Sequence, residues 1–312
     1  MSRTRSVHLV VFGLLGMAAA WPCRADEVGP PAPTSDSPAP AANSGFFSGW
    51  FARKDQAQAT QPHWMTPLVT VTPRLEEEVR YDQLNEQLNN GQHVVNYGGG
   101  KGLELIPTTT NEVILNVPPY LDRTYSRTDK FPGSAGTGFG DWPALLVKQR
   151  LLSAPESEGN YILTAFLAAG VPIAAERFTP HYDAWAVTPT IAGGKGWGDF
   201  DIQSTLGVQI PVGYAGYNGK IVLSNTTFQY HFARYFWPEI EVNESYWTGG
   251  PRGGKYQTFL TPGIILGRFS LGSGINASFG VGYQIAVTPD EVVPLVTPLY
   301  NRALLTTGRI TF

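Results

Sequence analysis

The stretch FDIQSTLGVQIP, residues 200–211, alternates apolar and polar side chains along most of its length. Because successive side chains of a β-strand point to opposite faces, Phe200 and Ile202 fall on one face, while Gln203 and Gln209 fall on the other. Strands of globular proteins usually have about 5–6 residues, whereas a tilted strand that crosses a bilayer needs about 9–11. The stretch therefore predicts a membrane-crossing strand with an apolar outer face and a polar inner face.

Similar alternation recurs between Leu68 and Phe312, for example in INASFGVGYQIAV, residues 275–287. We expect an all-β fold, a transmembrane antiparallel up-and-down β-barrel of about twelve strands. One region is open to two interpretations, because LELIPTTTNEVILNV, residues 103–117, could form one bent strand or two strands. A barrel with both termini in the periplasm needs an even number of strands, which favours two strands with a turn at residues 108–110. The predicted strands cover residues 70–82, 96–107, 111–118, 140–152, 160–172, 183–192, 199–211, 220–232, 236–247, 255–269, 274–288 and 301–312.

The composition fits such a barrel. Charged residues make up 15% of the chain, aromatic residues make up 12%, and glycine occurs 35 times. No internal stretch has the ~20 consecutive apolar residues of a spanning helix, which excludes a bundle of membrane helices. The formal net charge of −3 argues against nucleic acid as a partner. A soluble sandwich or a lipocalin-like barrel is the alternative; the long strands, the aromatic residues near strand ends and the amino-terminal segment favour the outer membrane.

The amino-terminal segment has the pattern of a secretory signal. Arg3 and Arg5 precede an apolar run, and small residues stand three and one positions before a cut after Ala25. We therefore expect a signal peptide over residues 1–25, which also contains the single cysteine of the chain.

A Pro/Ala-rich stretch follows the expected signal peptide. Its composition cannot bury enough apolar surface to order itself, so we expect a disordered periplasmic linker over residues 26–67 and the barrel over residues 68–312. The short aromatic segment at residues 46–51 is either a spacer, or an interfacial anchor or plug at the inner mouth of the barrel. These expectations place the protein in the outer membrane of a Gram-negative bacterium, with outer-membrane lipids, the barrel assembly machinery and a small solute as partners.

A charged stripe marks the first predicted strand. In TPRLEEEVRYD, residues 72–82, charges of both signs alternate on one face, and an Arg facing lipid would cost ~2–4 kcal/mol at mid-membrane. The stripe must therefore face the lumen, where it either fills the barrel as a salt-bridged polar core or lines a narrow pathway. The lumen-lining candidates, by the same alternation, are Arg74, Glu76, Glu78, Arg80, Lys148, Arg150, Gln203, Gln209, Glu239, Glu241, Asn243, Gln257, Asn276, Gln284 and Arg309.

Aromatic residues gather near the ends of the predicted strands. Amphipathic rings at both rims are typical of a barrel at the membrane–water interface. The chain ends on Phe312, which has the lipid-facing parity of Leu304 and Ile310 and would join the inner girdle. The predicted interface aromatics are Trp142, Trp185, Trp197, Trp237, Trp247 and Phe312.

Catalytic and cofactor motifs are weak. GTGFGD, residues 136–141, resembles a phosphate-binding loop, but Pro143 and the alternation after it argue for a strand instead of the required helix. No His has a Ser beside it in a nucleophile arrangement, and no two His have the spacing of metal ligands. We expect no enzymatic activity, no metal and no cofactor.

Several stretches together resemble one family. GKGLELIP, GTGFGDWP, YILTAFLAAGVP, WPEIEVN and FLTPGIILGRF are similar to segments of the meta-pathway of phenol degradation family of outer-membrane proteins. The resemblance implies a barrel and the uptake of small, aromatic or apolar compounds. We therefore expect a passive channel or transporter for small solutes; the alternative is a structural or surface-interaction barrel with a closed lumen.

Overall fold

The computed structural model describes residues 49–88, 91–98, 102–125, 135–174, 184–288 and 300–312. The predicted signal peptide and most of the predicted linker lie outside these residues. Within them are two helices, a single-turn 3₁₀ helix at Glu156–Glu158 and fifteen strands. The helices are α1 (Trp50–Ala59) and α2 (Ala215–Asn218), and the strands are β1 (Glu78–Gln87), β2 (His93–Tyr97), β3 (Leu103–Thr108), β4 (Asn111–Leu115), β5 (Tyr120–Arg123), β6 (Gly136–Phe139), β7 (Trp142–Ala154), β8 (Tyr161–Val171), β9 (Trp185–Trp197), β10 (Phe200–Val212), β11 (Ile221–Tyr230), β12 (Phe236–Trp247), β13 (Tyr256–Gly272), β14 (Ile275–Thr288) and β15 (Arg302–Thr311).

The strands close into one antiparallel barrel, because β15 pairs with β1 as well as with β14. Strands β2 and β3 both pair with β1, one after the other, so together they form one interrupted strand of the wall. In the same way, β4 and β5 together form a second interrupted strand, and β6 and β7 together form a third. Counted in this way the wall has twelve strands, which confirms the predicted fold class. The turn between β3 and β4 lies at the predicted split.

The two faces of the wall differ as the alternation predicts. In β12, Glu239 and Glu241 are buried inside, whereas Ile240 between them is 50% exposed on the outside. In β15, Leu305 is buried and its neighbour Leu304 is exposed. The outer face is thus an apolar surface, and the pairing of β15 with β1 closes the wall.

The two ends of the barrel differ in the length of their connections. At the end that holds Phe312, β9 joins β10 through residues 198–199, and β13 joins β14 through residues 273–274. At the opposite end β12 joins β13 through residues 248–255. We call these the short-turn end and the long-loop end. The stretch between the first two predicted strands, residues 83–95, is mostly strand, because β1 and β2 pair up to Gln87 and His93.

The predicted first strand, residues 70–82, differs most from the structure. Strand β1 begins only at Glu78, and residues 60–77, hereafter the internal segment, run inside the barrel. Helix α1 precedes this segment and occupies part of the predicted disordered linker. The barrel wall therefore begins ten residues later than Leu68, because an extended chain shows the same alternation in the wall or within the lumen.

The described residues contain no helix that is long and apolar enough to span a bilayer.

Replacing Phe312 with Ser is expected to lower the amount of assembled barrel. Phe312 is half-buried, and its backbone N–H donates to the carbonyl oxygen of Glu77 (3.2 Å) beside the β1–β15 seam that closes the wall. Loss of the ring removes apolar contact from this rim. Heat-modifiable mobility on gels measures the assembled fraction, and Phe312→Tyr, which keeps an aromatic ring, should assemble as the native chain does. Equal assembly of the Ser variant would contradict a role of the ring in closure.

Candidate functional site

The internal segment enters the lumen from the short-turn end and returns there. Gln61 and Leu75 hold its two arms together, because the side-chain amide of Gln61 donates to the carbonyl of Leu75 (2.8 Å) and accepts from its N–H (2.9 Å). Arg74 also crosses between the arms and donates to the carbonyl of Pro62 (2.5 Å). The segment is therefore a loop that folds back on itself within the barrel.

One wall of the lumen binds the N–H groups at the tip of this loop. The Glu239 carboxylate accepts from the backbone N–H of Leu68 (2.9 Å). The Glu241 carboxylate accepts from the backbone N–H groups of Val69 and Thr70 (2.6 Å each) and from the Thr70 hydroxyl (2.5 Å). Both carboxylates are buried, at 4% and 0% exposure. Buried carboxylates need such donors, so these two stabilise the loop in place.

Two guanidinium groups bind the carbonyl groups of the same tip. Arg80 donates to the carbonyls of Pro67 (3.2 Å) and Leu68, and Arg309 donates to those of Thr66 and Pro67 (2.7 Å). Arg80 is itself paired with a neighbouring carboxylate, Asp82, at 2.8 Å. The N–H groups of the tip are therefore bound by carboxylates, and its carbonyl groups are bound by guanidinium groups.

A second cluster of charged side chains binds the returning arm of the internal segment near the short-turn end. Lys148 pairs with Glu112 (2.9 Å) and donates to the carbonyl of Arg74 (2.9 Å). Glu112 also accepts from the backbone N–H of Glu76 (2.7 Å), and Arg74 pairs with Glu76 (2.8 Å). These charges are neutralised by one another and by backbone groups, so they offer little unpaired charge to a passing ion.

The predicted lumen residues divide into three groups by position. Arg74 and Glu76 are buried in the barrel but belong to the internal segment instead of the wall. Gln209 and Asn276 are only half-buried, and Asn276 lies beside the turn between β13 and β14. The remaining candidates are buried on wall strands: Glu78, Arg80, Lys148, Arg150, Gln203, Glu239, Glu241, Asn243, Gln257, Gln284 and Arg309.

The predicted interface aromatics need one correction. Trp185 and Trp197 are exposed on the outer face, and Trp142 is half-buried. Trp237 and Trp247 are instead buried, at 8% and 4% exposure, on the face of β12 that carries Glu239 and Glu241. Both tryptophans have odd numbers, as Glu239 and Glu241 have, so the alternation of β12 already placed them inside. Their position near the strand ends led to the wrong prediction.

A cavity of about 360 Å³ lies between the loop tip and the long-loop end. Its wall is mostly apolar, and Val69 and Val71 of the internal segment form its floor. Three of its polar side chains bind each other, as Tyr300 donates to Gln284, and Gln284 donates to Asn243 (3.1 Å). The apolar wall residues are Leu84, Ile114, Leu146, Ala168, Phe259 and Leu305.

A second cavity, of about 380 Å³, opens near the short-turn end. His63 and Trp64 of the internal segment line it together with Asp201, His231 and Arg268 of the wall. Across the described ranges, no group of three or more His, Cys, Asp or Glu side chains could hold a metal ion. The internal segment thus contributes to the walls of both cavities, one toward each end of the barrel.

Acid is expected to loosen the entering arm of the internal segment. Glu156, in the 3₁₀ helix, accepts from the backbone N–H (2.6 Å) and faces Nδ1 (3.0 Å) of His63. Partial burial acts to raise the pKa of Glu156, but the hydrogen bonds from His63 outweigh it and hold this pKa below the ordinary value of 4.5. Because the pKa is lowered in the folded state, this stabilisation is fully present above about pH 4.5 and is lost as the pH falls through the lowered pKa.

Amide hydrogen exchange of His63, corrected for intrinsic rates between pH 7 and pH 3, measures this loss. Exchange should accelerate only in the acidic part of the range, and Glu156→Gln should remove the acceleration. A native profile that stays flat down to pH 3 would contradict the contribution of Glu156.

Sequence reasoning missed the internal segment as a separate element. Pro62, Pro67 and Pro73 interrupt the stretch, but Pro189 and Pro238 lie within the wall strands β9 and β12. Proline therefore does not separate the internal segment from a wall strand in this protein.

Comparison with known proteins yields structural likeness alone. No family model and no curated protein matches the chain, so the resemblance to the phenol degradation family stays a prediction. Among solved structures the chain is similar to the NanC porin, with 7% identity, a TM-score of 0.43, and coverage of 76% of this chain and 98% of that one. It is also similar to OmpT, an outer membrane protein of Vibrio cholerae, with 12% identity, a TM-score of 0.32, and coverage of 75% and 95%. Identities this low do not transfer the function of either protein to this chain.

Proposed function

We propose that this protein is an outer-membrane channel that passes small solutes passively, without covalent chemistry, and that the internal segment is its stopper. The observation that carries the proposal is the arrangement of the lumen. A closed wall with an apolar outside surrounds two cavities, and one loop of the chain contributes to both. Displacement of a single loop would therefore join the cavities into a passage, with no change in the wall.

The solutes are small, uncharged and largely apolar. Apolar side chains face inward above the loop tip, where a general water-filled pore would carry polar ones. At this level Tyr300, Gln284 and Asn243 are hydrogen-bonded to each other, and Arg80 is paired with Asp82. A charged solute would lose its hydration here without gaining an unpaired charge as its partner, whereas an apolar solute would lose little. The sequence resemblance to a family linked to phenol degradation agrees with this class.

Permeation into liposomes tests the proposal. Purified protein in vesicles should admit cyclohexanol and phenol faster than glucose or benzoate, with protein-free vesicles as the control. The ratio of rates, measured by vesicle swelling or by assay of internal solute, decides the solute class. If no solute passes faster than through protein-free vesicles, even when the stopper is destabilised as described below, the barrel is a structural one with a closed lumen.

The orientation is a separate part of the proposal. We infer that the short-turn end, with the amino-terminal region, faces the periplasm, and that the long-loop end faces outside, because outer-membrane barrels have short periplasmic turns. A cysteine replacing Ser126, which belongs to the connection between β5 and β6, should be labelled on intact cells. A cysteine replacing Ser157, in the 3₁₀ helix of the short-turn end, should not. The reverse pattern would invert the proposed topology.

A further inference from the structure

The lumen contacts the loop tip in the way that a peptide-binding protein contacts a peptide. Three consecutive backbone N–H groups, those of residues 68–70, bind Glu239 and Glu241. The carbonyl groups of residues 66–68 bind Arg80 and Arg309. Main-chain hydrogen bonds of this kind supply affinity for an extended peptide of any sequence, and side-chain pockets supply the specificity.

A pocket for one side chain lies beside these contacts. Leu68 is 1% exposed and packs over three glycines on the neighbouring strands β13 and β14. A Cβ atom would lie 2.3 Å from a Leu68 methyl group at Gly263, 2.6 Å at Gly280 and 2.7 Å at Gly282. Such distances are too short for any side chain, so the absence of three Cβ atoms creates the hollow that holds this leucine.

A second hollow holds Trp64, on the entering arm. A Cβ atom at Gly194 would lie 2.5 Å from the Trp64 ring, and one at Gly196 would lie 2.7 Å from its Nε1 atom. Both glycines belong to β9, while the Leu68 hollow belongs to β13 and β14. The loop is thus bound through two side chains and through its backbone, on different parts of the wall.

We propose that the lumen is a binding site for an extended, leucine-bearing peptide, and that residues 61–77 are its tethered occupant. Closure of the barrel is then a reversible intramolecular binding event, favoured by the high effective concentration that tethering gives. This inference concerns peptide binding and does not depend on which solute passes. Both tests below measure the peptide and not permeation, so a barrel that passes nothing could still satisfy them.

Filling the leucine hollow is the first test. Gly282→Ala adds one carbon whose contact below 3.0 Å is with Leu68, and Leu68 has little room to move because it also fills the space over Gly263 and Gly280. Hydrogen exchange at the amides of residues 68–70, in detergent, should accelerate at least tenfold. In a Leu68→Ala background the same change should alter exchange less than twofold. Gly308→Ala in β15, where a Cβ meets nothing within 4 Å, is the matched control and should change nothing.

Supplying the peptide in trans is the second test. The variant Val69→Pro/Thr70→Pro removes two N–H donors and the Thr70 hydroxyl donor to Glu241, and it leaves every side chain of the wall in place. A fluorescein-labelled synthetic peptide of residues 61–77 should bind this variant saturably by fluorescence anisotropy. It should bind the native chain at least tenfold more weakly, because the native segment occupies the site. The same peptide with Leu68→Asp should not bind.

Two results would overturn the inference. One is an equal effect of Gly282→Ala with and without Leu68, because the hollow would then not be matched to this side chain. The other is a failure of the peptide to bind the proline variant, or equal binding of the native and Leu68→Asp peptides. Where the proline variant lacks heat-modifiable mobility, the hydrogen-exchange comparison decides alone.

Discussion

The double variant Glu239→Gln/Glu241→Gln is expected to raise passage of small apolar solutes at least tenfold over the native chain. Glu241 accepts four hydrogen bonds: from the backbone N–H groups of Val69 and Thr70, and from the hydroxyl groups of Thr70 and Thr227. Val69 binds one oxygen of the Glu241 carboxylate and the other three donors bind the second oxygen, so a glutamine, which has one acceptor oxygen, loses at least one bond to the loop tip. The loss of one bond to a charged acceptor weakens the loop tip by about 1.5–3 kcal/mol.

A loss of this size exceeds the ~1.4 kcal/mol that changes an equilibrium tenfold, so the open population should rise by at least that factor. The measurement is solute entry into liposomes. Glu244→Gln, on the exposed face of the same strand, is the control and should leave this entry unchanged. Native permeation in the double variant would show that these carboxylates do not hold the stopper.

The double variant Ile240→Lys/Val242→Lys should abolish assembly in the membrane. Ile240 is 50% exposed on the outer face near the middle of β12, and Val242 has the same parity. A lysine on the lipid face costs ~2–4 kcal/mol at the bilayer midplane and ~0–1 kcal/mol near the interfaces. Two central lysines therefore cost about 4–8 kcal/mol, comparable to the whole stability of many folded domains.

The matched control places two lysines on the same face of the same strand, at its ends. Phe236 and Tyr246 are 43% and 42% exposed there, and Phe236→Lys/Tyr246→Lys should assemble far better than the central pair. The fraction with heat-modifiable mobility in outer-membrane extracts measures both variants. Equal assembly of the central pair and the native chain would mean that this face does not meet lipid.

The amino-acid sequence by itself determined which side chains of most wall strands face the lumen and which face outward. Alternation is a local property of an extended chain, so PEIEVN, residues 238–243, placed both glutamates inside and the aliphatic residues outside without any knowledge of partners. The requirement for an even number of strands placed the turn at residues 108–110, and β3 and β4 do meet there. Trp237 and Trp247 of β12 follow the same parity rule and lie inside. They were predicted to lie at the interface because their position near the strand ends was used instead of their parity.

Only the tertiary structure decided what fills the wall. Arg74 and Glu76 continue the stripe of Glu78 and Arg80, yet the first two lie on the internal segment and the last two on β1, because extended backbone has the same period whether its hydrogen bonds go to a neighbouring strand or to side chains. The bonds between Glu241 and Thr70 join residues 171 positions apart, and the hollow for Leu68 is formed by glycines of two other strands. Such contacts depend on which strands become neighbours when the barrel closes, and no local pattern in the chain encodes them.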